Sequence, residues 1–215
     1  DLINAPLIPL LDLVKKLLAE PVDVEIFFSL WTLIVFIISI FYGLLLLWSC
    51  FNFIISGYDS AKKENAKSWF KNIILMVVFV QGSFFFYNGL LDLSAALTEG
   101  VLNMIDADFF LLKADNFTSL GISILFSLAY VLTLLVTTVF LALRYFIVMV
   151  GLVFFPIGIF FYFIPFLKAY GKLIINTLMI IIFLPFFQGL ILLAVSQMLS
   201  VSIFEDFQVL VMITA

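Results

Sequence analysis

Residues 26–58 read IFFSLWTLIVFIISIFYGLLLLWSCFNFIISGY, without one Asp, Glu, Lys or Arg. About 20 helical residues cross the core of a bilayer, so this run is long enough to span once. It is too long for the core helix of a soluble domain and does not alternate as a barrel strand would. Four further charge-free runs follow, at 72–91, 116–143, 145–167 and 173–204. Each has length for one crossing and none comfortably for two. The expected fold is all-α: a polytopic membrane protein with five hydrophobic helices and short interfacial helices. An extracytoplasmic amphipathic segment, residues 1–25, precedes a single helical membrane domain, residues 26–215.

Composition agrees. The chain is 66% hydrophobic and 11% charged, with 28 Phe among 215 residues, whereas soluble chains are about half apolar and about a quarter charged. The same counts limit the chemistry. There is no His, which removes haem ligation, most zinc sites and imidazole catalysis. The lone Cys50 cannot form an internal disulfide, and its apolar setting reads as packing rather than nucleophile. No glycine-rich phosphate loop or HExxH pattern occurs. No catalytic, cofactor-binding or metal-binding residue is expected, and the chain reads as a non-enzyme. A net charge of -4 argues against a general nucleic-acid binder. A first residue of Asp rather than Met fits either a removed signal peptide or a piece of a longer protein.

The charged segments set the topology. The loop after the first run carries Lys62, Lys63, Lys67 and Lys71, and short basic loops stay in the cytoplasm. That places the N-terminus outside, this lysine loop inside facing cytoplasmic partners, and the acidic loop with Asp106, Asp108 and Asp115 outside. The sequon at Asn116 then falls on the side where glycosylation occurs. Helix formers from Ala61 to Lys67, with Asp59 or Ser60 as N-cap, predict a helix over 60–71. Trp31 and Trp48, about 25 Å apart along a helix, read as the two headgroup belts. Leu7, Leu10, Leu11, Val14, Leu17 and Leu18 form one face of a helix opposite Asp12, Lys15 and Lys16, bounded by Pro6, Pro9 and Pro21. This predicts a short helix lying flat on the membrane. Leu93, Leu97, Val101, Met104 and Ile105 read as a second interfacial face.

Within the runs, polar residues mark faces for helix packing or a pore. Ser119, Ser123 and Ser127, followed by Tyr130 and Thr137, line one side of the third run, where small hydroxyl residues let helices approach. Gln81, Asn88 and Asp92 fall on one helical face of the second, and such groups avoid lipid. Arg144 separates two apolar runs. A charge at mid-span costs about 2.5–3.5 kcal/mol on insertion scales, which places Arg144 at the membrane face as a snorkelling anchor. Pro156 and Gly158 offer a helix break in the fourth run. Either the run crosses with a kink, leaving Lys168 and Lys172 outside, or it turns back there; the kinked crossing is the expectation.

Two stretches carry a resemblance: SGYDSAKKENAKSWFKNIILMVVFV, residues 56–80, and RYFIVMVGLVFFPIGIFFYFIPFLKAYGKLIIN, residues 144–176. With the acidic loop between them, they resemble the polytopic inner-membrane subunit of type IV secretion and conjugation machines, in its archaeal, DNA-transfer branch. The resemblance covers roughly residues 30–195 and rests on layout, Asp59 and its lysines, Arg144, Phe155–Gly158, Pro165 and Gly171. It implies a multi-pass subunit of the cytoplasmic membrane, five crossings, and an oligomeric platform or translocation channel. The implied partners are membrane lipid, further copies of the chain, a cytoplasmic ATPase, a pilin and, indirectly, translocated DNA. Its rivals are a stand-alone small-solute transporter or ion channel, and a structural subunit of another membrane complex.

Overall fold

A computed structural model describes residues 7–58, 60–105 and 120–199, with side-chain surroundings for 9–57, 60–105 and 128–198. The described residues form six α-helices and no strand: α1 Leu7–Ala19, α2 Phe28–Ile55, α3 Ser60–Gln81, α4 Ser83–Leu102, α5 Leu120–Phe163 and α6 Lys168–Leu199. Three stretches are long and apolar enough to cross a membrane: Glu25–Ile55, Leu128–Phe163 and Lys168–Met198. The pair α3 and α4, bent by 60°, makes a fourth if it counts as one broken span. The chain is an all-helical membrane protein.

The helix boundaries differ from the charge-free runs in two places. The runs 116–143 and 145–167 do not form two helices, because α5 passes through Arg144 without interruption. Nor does the chain break at Pro156 and Gly158. Both lie inside α5, which ends before Pro165, the residue whose ring disfavours helix in Ile164. The second run, 72–91, is itself divided at Gly82. There the backbone ladder continues, with Gly82 N–H bonded to Val78 O at 2.9 Å and Phe86 N–H to Gly82 O at 3.1 Å. The axis bends all the same, at a Gly-Ser pair where kinks concentrate.

The chain gathers into two compact units, one of Asp1–Val22, Leu91–Phe146 and Ile182–Ala215, the other of Asp23–Leu90 and Ile147–Ile181. In the first unit, α1 follows from its sequence: Pro9 is tolerated in the opening turn, and Pro21 ends it just after Glu20 N–H bonds Lys16 O at 2.9 Å. Its buried stripe is Leu11, Val14 and Leu18, with Asp12, Lys15 and Lys16 exposed. Val14 and Leu18 cluster with Leu141 of α5, flanked by Leu102 and Leu192. The apolar face of α1 is thus packed against protein.

In the second unit, α2 and α3 run antiparallel. Gln81 Nε2 donates to Ser39 Oγ at 3.4 Å, and Trp31 Nε1 donates to Ser83 Oγ at 2.8 Å. Trp31 is therefore a buried packing residue with its N–H satisfied by protein; only Trp48, 61% exposed, suits a lipid belt. Phe41 meets Phe160 and Phe79 meets Phe163 at ring-centroid distances of 6.0 and 6.1 Å. These contacts set the end of α5 beside Phe41, midway along α2, and Phe79, near the end of α3 that adjoins the Gly82 bend. Glycines bring the α5 and α6 segments of this unit together. A Cβ on Gly171 would strike the backbone of Tyr162, Gly158 and Phe161, and one on Gly158 would stand 2.9 Å from Ile174 Cγ2. Gly158 is a close-approach residue, as small residues are between membrane helices.

Candidate functional site

Two constellations stand out, one in each unit. In the first, Arg144 is 8% exposed, and its Nη2 donates to the backbone carbonyl of Ile182 at 3.2 Å. Ser94 Oγ donates to the same carbonyl at 2.7 Å, and Thr98 Oγ1 donates to Ser94 O at 2.7 Å. A carbonyl has two lone pairs and accepts two such donors. The result ties α4, α5 and α6 at one oxygen.

Arg144 does not reach outward as a snorkelling anchor would. It sits inside the apolar helix Leu128–Phe163, turned into protein. Its charge is accommodated as membrane proteins commonly accommodate one, by facing the bundle and bonding a backbone carbonyl.

The buried face of α4 was not found from its sequence. It is formed by Ser83, Tyr87, Leu91, Ser94, Thr98 and Val101. Each hydroxyl donates to a carbonyl: Ser83 to Val80 O at 2.7 Å and Tyr87 to Val148 O at 2.6 Å, besides the two above. The signal was the spacing of the hydroxyl residues 83, 87, 94 and 98. The expected face of Gln81, Asn88 and Asp92 does not exist as one surface, because the Gly82 bend separates Gln81 from the other two. Gln81 and Asp92 are exposed and Asn88 is half-buried. Likewise Leu93 and Met104 are exposed while Val101 is buried, so the second interfacial face is not a common surface. On α5, Tyr130 is buried and Thr137 is half-buried, its Oγ1 donating to Thr133 O of its own helix at 2.9 Å. Asn116 and Ser119 lie outside the described residues, and so do the side-chain surroundings of Ser123 and Ser127.

The second constellation is the set of exposed lysines of the other unit. The helix expected over 60–71 opens at Ser60 as the first part of α3. Lys62, Lys63, Lys67 and Lys71 are exposed along it, and Lys168 and Lys172 are exposed on the first turns of α6. Six of the ten basic residues are thus exposed on this unit. Between α2 and α3, Asn52, Ser56, Lys62, Asn65 and Trp69 line an open cavity of about 270 Å³. Cys50 is exposed on α2, not packed. Among the described residues, no group of three carboxylate or cysteine side chains is placed to hold a metal ion. No family model, curated protein or solved structure matches the chain.

Proposed function

We propose that the chain is a non-enzymatic membrane subunit of a secretion or DNA-transfer complex of the type IV kind. It assembles with further copies into a platform or translocation channel in the cytoplasmic membrane. The observation that carries this reading is the exposure of Lys62, Lys63, Lys67 and Lys71 along the first part of α3, at the α2–α3 turn, with Lys168 and Lys172 exposed at the start of α6. Such a turn belongs in the cytoplasm and offers an ATPase or other cytoplasmic partner a basic face. With that turn inside, the N-terminus is outside. The α2 helix, the bent pair, α5 and α6 then give four crossings in place of five, and α6 ends outside. Surface left uncovered by the chain adds support, since only 22% of the α2 and α6 spans is buried.

Purification in mild detergent tests the reading. The expected particle contains several copies and retains its cytoplasmic partners in a manner that depends on the lysines. A stable monomer that moves a solute across liposomes would overturn it. That outcome belongs to the second reading, a stand-alone transporter or channel, which the buried Arg144 favours, because intramembrane ionisable residues commonly mark transport paths. Loss of solute flux on Arg144→Gln, with folding intact, would establish the transporter instead.

A further inference from the structure

The second unit contains a groove of about 410 Å³ whose lining is wholly apolar. Phe41 and Leu44 of α2 form one wall, Phe160 and Ile164 the other, and Phe166 and Leu167 of the α5–α6 turn close its end. The volume is that of a small-molecule site. Water has no partners on such walls. Three of the six residues are well exposed, Phe41 at 47%, Leu44 at 61% and Phe166 at 78%, so the groove is reached from outside the protein.

A cation stands at the closed end. Lys168 follows directly on Leu167, and its Nζ lies 5.5 Å from the ring centroid of Tyr162, the residue after the lining Phe161. Lys172 follows one turn later on the same helix, also exposed. Among the described residues neither lysine is ion-paired with a carboxylate. Apolar walls that end at two lysines have the polarity of a lipid: a hydrocarbon tail below and an anionic head above. Basic pockets between membrane helices select anionic headgroups over zwitterionic ones.

We propose that this groove binds one anionic phospholipid, with an acyl chain along Phe41, Leu44, Phe160 and Ile164 and its phosphate at Lys168 and Lys172. The site would fix the α5–α6 turn against α2 through the lipid. It does not depend on which face of the membrane is cytoplasmic, nor on the secretion reading.

The test introduces an indole at the exposed rim beside the lysines by Phe166→Trp and follows its fluorescence against the parent protein. The protein is reconstituted in phosphatidylcholine vesicles containing a minor share of dibrominated phosphatidylglycerol or of dibrominated phosphatidylcholine. The added signal should be quenched about fivefold more effectively by the anionic lipid, the enrichment one lysine near a lipid headgroup provides. Lys168→Gln should reduce that preference; both substituted residues are exposed, so the fold should tolerate them. Equal quenching by the two lipids would reduce the groove to bulk lipid contact and overturn the site. A preference unchanged by Lys168→Gln would overturn it too. Stronger quenching by brominated oleic acid would assign the groove to a free fatty acid. No quenching by any brominated lipid would mean that protein covers it, and either result refutes the phospholipid.

Discussion

The two units are built from the same kind of helix yet are held together by different means. The unit with Trp31 and the exposed lysines relies on rings and on missing side chains: Phe41 on Phe160, Phe79 on Phe163, and Gly158 and Gly171 where α5 and α6 approach. The unit with Arg144 relies on polar side chains converging on the Ile182 carbonyl, and on leucines closing over α1. In a membrane, apolar burial discriminates little between protein and lipid, so helices associate by close packing or by hydrogen bonds. The unit with Arg144 leans on the second device, while the other adds close packing of rings and glycines to the hydrogen bonds of Trp31 and Tyr87.

The contrast is broken most sharply at glycine. Gly171→Leu should be the most damaging substitution, at about 3 kcal/mol or more, because the new side chain meets α5 backbone that cannot move aside. In the polar unit, Gly189→Ala should change stability by less than about 1 kcal/mol, since its Cβ would meet Val101 Cγ1 at an ordinary 3.4 Å. Thermal unfolding of both variants in detergent checks the pair. Comparable losses would mean that packing, not polarity, governs both units.

Arg144→Ala comes next, with an expected loss of about 2–3 kcal/mol from the charged hydrogen bond and the void left behind. Ser94→Ala should cost less, about 0.6–1 kcal/mol. Because both side chains serve one carbonyl, the double variant should depart from additivity by about 0.5 kcal/mol or more, and simple additivity would show that they act separately.

Tyr87→Phe should cost about 1 kcal/mol through its bond to Val148 O. It should also make Gly151→Ala easier to bear, because a Cβ at 151 would stand 2.5 Å from that hydroxyl. Unfolding of the single and double variants reads both effects. Lys16→Gln should be nearly silent, within about 0.5 kcal/mol, since its pairing with Glu20 at 3.7 Å is exposed.

What the sequence made legible follows the same division. Apolar length announced the membrane helices. The 3.6-residue period of Leu11, Val14 and Leu18 announced α1 and its buried face, though not whether lipid or protein would cover it. Helix formers announced the start of α3. The burial of Arg144 was not legible because its partner is a backbone carbonyl, which leaves no mark in the residue string. The Gly82 bend was missed because Gly-Ser pairs also occur in straight spans. The α4 hydroxyls were passed over for Gln81, Asn88 and Asp92, whose greater polarity drew the packing face to the wrong side. Gly158 read as a break because close approach depends on a second helix that the local sequence does not name.

The proposed topology has α5 crossing once, so that the α2–α3 and α5–α6 turns share a side. Single cysteines placed by Lys67→Cys and Lys172→Cys, each in a Cys50→Ser background, test it with a membrane-impermeant thiol reagent. Intact cells and inverted vesicles are labelled in parallel, so the comparison needs no prior choice of orientation. Both positions should label from one side and be protected from the other. Labelling from opposite sides would restore an extra crossing between Arg144 and Lys168 and contradict the arrangement described.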